Sequence, residues 1–102
     1  MPDPEIIDNT GLHRFELRVE GDTALLIYSK TGSLLRLIHT EVPGALRGKG
    51  VGSKLVGGVL QLARRDNLSI VPSCPFVIDY LKRHPEYTSI VDPSHQWLIA
   101  NE

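Results

Sequence analysis

Arg47-Gly48-Lys49-Gly50-Val51-Gly52 is the stretch of this chain whose residue types and spacing are best suited to chemistry. Three glycines at alternate positions let backbone amides approach a ligand with no side chain in the way, and a helix that follows offers free N–H groups and a partial positive charge. A pyrophosphate suits such a place, with Arg47 and Lys49 adding charge-assisted contacts. Two familiar phosphate loops fail on spacing. A P-loop needs Gly-x-x-x-x-Gly-Lys-Ser/Thr, but the residue five beyond Gly44 is Lys49 and the residue five beyond Gly48 is Ser53. The dinucleotide fingerprint needs Gly-x-Gly-x-x-Gly, whereas here the third glycine arrives one residue early and follows hairpin-linked strands. The plainer reading of the same six residues is a tight strand-to-helix turn with two solvated charges.

Cys74 is the second candidate. It stands immediately before Pro75, the cap position of a short helix, where the helix N-terminus favours thiolate and lowers the thiol from its usual value of about 8.5. A thiol so placed can accept an acyl group; an inert buried cysteine is the alternative.

The elements that position these residues follow from periodicity. From Arg14 to Glu20 polar and apolar residues alternate, with Phe15, Leu17 and Val19 on one side, as in a half-buried strand. Gly21-Asp22 then signals a tight hairpin into Thr23 to Ser29, and Lys30-Thr31-Gly32-Ser33 signals a second into Leu34 to Thr40, giving an antiparallel meander. After Pro43-Gly44 the period changes: Val51, Leu55, Val56, Val59, Leu60 and Ala63 recur at helical spacing until Arg64-Arg65-Asp66-Asn67. Leu68, Ile70 and Val71 form a short strand, and Pro75 opens a helix that runs through Lys82 and ends at His84-Pro85. Tyr87 to Val91 reads as one more edge strand. The pattern is thus α/β of the α+β kind. Residues 1–10 read as a flexible tail, 11–93 as one domain, and 94–102 as a C-terminal tail, docked or mobile.

Composition narrows the function classes. A chain of 102 residues, 41% hydrophobic, suits one domain that buries roughly 60 to 70% of its unfolded surface. Eleven Lys and Arg against twelve Asp and Glu give a net charge of -1, so no global field recruits nucleic acid or an anionic membrane. One cysteine excludes an internal disulfide, and no His or Cys spacing suits a metal. The start lacks an apolar signal core, and no run approaches the roughly 18 apolar residues of a membrane span, so a cytoplasmic location is expected.

The glycine turn also matches the Arg/Gln-x-x-Gly-x-Gly/Ala signature, and through it the chain resembles the GNAT superfamily of N-acetyltransferases. More narrowly it looks like the small YjdJ-like group, through His39-Thr40-Glu41-Val42-Pro43, Val71-Pro72-Ser73-Cys74-Pro75-Phe76 and His84-Pro85-Glu86-Tyr87, over about residues 11 to 92. The resemblance implies a minimal GNAT fold with about five mainly antiparallel strands, two helices and splayed central strands. It implies acetyl-CoA as ligand and no metal. Glu41, Val42 and Pro43 would present backbone to the pantetheine arm, and Arg47, Gly48, Lys49, Gly50, Val51 and Gly52 would hold the pyrophosphate. The thioester would lie where the strands splay, beside Ser73 and Cys74. Glu41 would take the proton of an amine acceptor, with His39 on the same strand face as its orienter, and Cys74 would be the other catalytic candidate; a solvated carboxylate and ordinary strand packing are the alternatives for the first two. Tyr87 could protonate the leaving thiolate, against capping or core packing. The tight Gly21-Asp22 turn leaves no room for the two helices that most of the superfamily insert there. An exposed acceptor groove is therefore expected, suited to a protein side chain, a terminal amine or a second protomer as its missing wall, with the protein a monomer or weak homodimer. A non-catalytic acyl-CoA sensor is the alternative function.

Overall fold

A computed structural model describes residues 6–100. Its five strands, β1 (Ile6–Asn9), β2 (Arg14–Val19), β3 (Asp22–Thr31), β4 (Leu34–Glu41) and β5 (Ser69–Pro72), form one sheet in the order β1-β2-β3-β4-β5. The first four are an antiparallel meander, and β5 joins β4 in parallel. The hairpins fall where the sequence places them, with Gly21 at φ 85° and Gly32 at φ 59° supplying the left-handed backbone that tight turns require.

The parallel crossover is made by α1 (Val51–Arg65), and all six of its periodic apolar residues are buried. Its C-terminus closes as a Schellman motif: Asn67 adopts φ 57°, Leu68 N donates to Ala63 O at 2.8 Å, and Asn67 N donates to Arg64 O at 3.3 Å. Helix α2 (Pro75–Arg83) starts with Pro75 in its first turn and lies beside α1, where Phe76 meets Gly52 and Tyr80 meets Gly57. Both helices bury Phe15, Leu17, Leu26, Leu35 and Leu37 against the sheet in one core. On the other face Ile7, Leu34 and Ile38 remain exposed, and Glu16 is held by Arg14 and Asn9. That open face agrees with the absence of inserted helices between β2 and β3.

Two segments differ from their sequence reading, and the C-terminal tail takes the docked one of its two alternatives. Ile6–Asn9 lies inside the expected flexible tail yet forms an edge strand, paired from Ile6↔Leu17 to Asn9↔Arg14 and reversed by a turn that Asn9 caps and His13 closes at φ 53°. Residues 1–5 of that tail lie outside the described residues. The expected strand at Tyr87 to Val91 shrinks to one bridge, Val91↔Ile70, because Pro85–Ile90 winds into a 3-10 helix whose Tyr87 is buried beneath the Arg64 guanidinium, 4.5 Å from the ring centre. Pro93–Ile99 is a further 3-10 helix that docks through Ile99, while Trp97 is exposed.

Candidate acetyl-CoA site

The site begins with a defect in pairing. Along β3 and β4, Ile27 pairs with His39 and Tyr28 with Leu37, so Ile38 is an extra residue in β4. Such a bulge bends its strand and increases local twist. On the other side of β4 the ladder to β5 runs from Leu34↔Ser69 to Leu37↔Pro72, and its last bond is Ser73 N to Leu37 O at 2.9 Å. Beyond Leu37, β4 still pairs with β3 but has left β5. The central strands therefore splay at the bulge.

The gap leads to the turn before α1. Pro43 precedes a 3-10 turn (Gly44–Leu46) anchored by buried Leu46, and Gly48 (φ 80°) and Gly50 (φ 73°) then turn the chain into the helix. Gly50 caps α1 without a side-chain hydrogen bond, so the first-turn amides are left for a ligand. Gly52 serves another purpose. A Cβ there would lie 2.8 Å from Phe76 Cζ and 3.3 Å from Val42 Cγ2, so it permits close packing of the cleft walls. A cleft of about 410 Å³ results, lined by Thr40, Val42, Arg47, Gly50, Gly52 and Phe76 among others.

Most of the turn residues expected from sequence meet in this cleft; Arg47, Gly48, Gly50, Val51 and Gly52 all line it, as does Val42. Lys49 does not. Its Nζ donates to Glu20 Oε2 of the β2–β3 turn at 2.8 Å, and that contact lowers the Glu20 carboxyl below its ordinary range. Arg47 has no ion-pair partner among the described residues, which leaves it as the turn's available cation.

The two catalytic candidates sit on opposite faces of β4. Cys74 is 4% exposed and shares a 3.5 Å contact with Thr40 Oγ1 across the gap on the core side. Burial pushes its thiol up, but the Thr40 hydroxyl and the amides of Val77, Phe76 and Thr40 that face the sulfur outweigh burial and leave it lowered, although none closes a capping bond at α2. Glu41, next to Thr40, points the other way. Its side chain is 61% exposed and lies 3.6 Å from His39 Nε2, as the shared strand face requires. Ser73 accepts a hydrogen bond from Arg36 Nη1 at 2.9 Å, beside the splay. Tyr87 is packed under Arg64, away from the cleft lining. Sequence reading missed Thr40 and Phe76; the first shares strand parity with Val42, and the second follows Pro75 on the first turn of α2. Among the described residues no cluster of three or more His, Cys, Asp or Glu is placed to hold a metal.

A meander with a bulged, splayed parallel edge that opens onto a glycine-turned helix N-terminus is an acyltransferase architecture, and residues 14–90 match the profile of the GCN5-related N-acetyl-transferase family, to which this chain belongs. Among individual proteins it is 33% identical over 75 residues to Protein NATD1 of Homo sapiens and of Mus musculus. That alignment covers 71% of this chain and 66% and 68% of those proteins. The solution structure of a Staphylococcus aureus protein described as GCN5-like superposes with a TM-score of 0.66 at 30% identity, over 90% of this chain and 91% of that one.

Proposed function

We infer that this chain, as a small YjdJ-like member of its family, binds acetyl-CoA in the β4–β5 gap and transfers the acetyl group to a primary amine in the cytoplasm. The observation that carries this reading is the continuity of the splay at Ile38 with the uncapped first turn of α1. The cradle fits the ligand. The amides after Gly50 and the Arg47 guanidinium suit a pyrophosphate, backbone from Glu41 to Pro43 suits the amides of a pantetheine arm, and Val42 and Phe76 wall the cleft apolar.

When bound, acetyl-CoA supplies an acyl group activated as a thioester. An amine attacks only when neutral, so the acceptor must lose a proton, and Glu41 on the open face is the carboxylate placed to take it directly or through water. His39 beside it is a positioning residue. Cys74 reaches the gap from the core side, and its lowered thiol would serve a route in which the acetyl group rests first on sulfur. The division of the faces favours direct transfer, since an acceptor arriving on the open face meets Glu41 and not the 4% exposed Cys74.

A second reading, a non-catalytic acyl-CoA sensor, is favoured by one observation: neither Glu41 nor Cys74 belongs to the cleft lining. Calorimetric titration with acetyl-CoA tests binding, and release of free CoA thiol in the presence of polyamines, amino acids or a peptide library tests turnover. Binding with turnover is expected. Binding without turnover for any amine would leave the sensor, and no binding would sink both readings.

A further inference from the structure

The bulge at Ile38 also decides what an incoming acceptor meets. Leu35 and Leu37 are buried in the core, so Arg36 between them points to the open face of the sheet. Pairing resumes at Ile27↔His39, which puts the extra residue, Ile38, and His39 on that same side. Thr40 returns to the core side and Glu41 to the open one. Along the open rim of β4 a guanidinium, an exposed isoleucine and a carboxylate with its imidazole therefore follow one another.

The splay begins among these groups. Arg36 Nη1 donates to Ser73 Oγ at 2.9 Å, and Ser73 N makes the last bond of the β4–β5 ladder to Leu37 O. Arg36 thus stands where the gap starts, and Glu41 lies beyond the bulge. Their β3 partners, Ser29 and Leu25, are four residues apart, about 14 Å along the strand. The Arg36 side chain spans part of that length, so one molecule reaches both ends only if several bonds separate its two polar groups.

The charges of the face say what those groups are. Arg14, Arg18 and Arg36 stand on it against Glu16 and Glu41. Glu16 is buried and held by Arg14 and Asn9, and Glu41 lies beside His39. Arg36 has no carboxylate partner among the described residues, and the single bond to Ser73 leaves most of its donors unused. A planar fork of this kind suits a carboxylate.

We propose that the acceptor is an extended amino-carboxylate, with its amine at Glu41, its apolar stem across Ile38 and its carboxylate in the fork of Arg36. The proposal rests on the acetyl-transfer reading and names the class of amine. The nitrogen gives its proton to Glu41 as its bond to the acetyl carbon forms and the bond from that carbon to sulfur breaks, the sulfur leaving as thiolate. Arg36 sets specificity, and Ser73 is a positioning residue that holds the guanidinium beside the gap.

The test compares ε-aminocaproate with ε-aminocaproamide, which share an amine and a stem and differ in charge at the far end, by release of free CoA thiol from acetyl-CoA with the full chain. The carboxylate should have a KM about three- to tenfold below that of the amide at similar kcat, a ratio that shrinks with added salt. In Arg36→Ala the two KM values should converge, and Arg36→Lys should restore part of the difference. Thermal unfolding of Arg36→Ala should match wild type, because the bond lost is exposed. Equal KM values in wild type, a difference that survives Arg36→Ala, or turnover of a plain diamine but of neither probe would overturn the acceptor assignment while leaving acetyl transfer in place. Binding of acetyl-CoA without turnover of any amine would instead sink the transfer reading, and this inference with it.

Discussion

The two faces of β4 near its end place different chemistry within one residue of each other. On the core face Thr40 holds the Cys74 thiol in a dry setting where neutral hydroxyl and amide donors lower its pKa against the effect of burial. On the open face His39 and Glu41 lie 3.6 Å apart, both more than half exposed, with Arg36 and Ser73 nearby at the splay. A strand that reverses side-chain direction at each residue can thus keep a thiol from water on one side and a carboxylate in contact with it on the other. The bulge at Ile38 makes the contrast useful, because it opens the gap between the two.

The sharpest way to break this comparison is to remove one group from each face. Glu41→Gln should lower turnover about 100-fold with acetyl-CoA affinity unchanged, as expected for loss of a general base. Cys74→Ala should lower it less than about tenfold, and the wild type should show no stable mass gain of one acetyl group on Cys74. The reverse ranking, with such an adduct, would move the chemistry to the core face.

The wall of the cleft gives the next largest effect. Gly52→Val places methyl groups where Phe76 and Val42 already stand, so it should cost about 1–3 kcal/mol in urea unfolding and close the cleft to acetyl-CoA. Unchanged stability would mean that Phe76 swings freely away. Replacing Gly50 would confuse the test, since its φ of 73° strains any L side chain.

A third measurement addresses the thiol. The pH dependence of Cys74 alkylation should have its midpoint below that of free cysteine, with a small absolute rate set by burial. Because the folded pKa is lowered, its stabilising contribution is present above the unfolded value and is lost as pH falls through the folded one. A midpoint above that of free cysteine would show burial winning over the hydrogen bonds.

The smallest effect separates the two cations of the turn. Lys49→Ala breaks only the exposed pair with Glu20, so it should change stability by less than about 1 kcal/mol and alter CoA affinity less than Arg47→Ala does. A greater loss of affinity from Lys49→Ala would mean that Lys49 leaves Glu20 when the ligand binds.

Much of this architecture was legible in the sequence because local patterns specify it. The buried face of α1 is the set of residues read at helical spacing, and the turns at Gly21 and Gly32 bring the three strands together as read. What sequence reading missed depends on distant partners or single-residue defects. β1 is four residues long and acquires its pattern only by pairing with β2. The bulge at Ile38 leaves no mark on composition, since an extra strand residue looks like any other. Val91 lies close enough to β5 for one bridge, but Pro85 favours a tight helical start and buried Tyr87 holds the segment wound. In the site, the glycine turn was readable as a local motif, whereas the diversion of Lys49 to Glu20 and the contact of Cys74 with Thr40 join residues about thirty positions apart. Only the fold supplies those partners.

The parallel seam between β4 and β5 has a kinetic consequence. The meander is made of neighbours joined by tight turns, so it can form from local contacts, whereas four residue pairs at the seam require a loop of about thirty residues, mostly helix, to close first. The gap proposed to receive the acyl group is an extension of that seam and is expected to be assembled among the last steps of folding. A ligand spanning it would then act chiefly as a brake on unfolding, holding shut the part of the chain with the least local support.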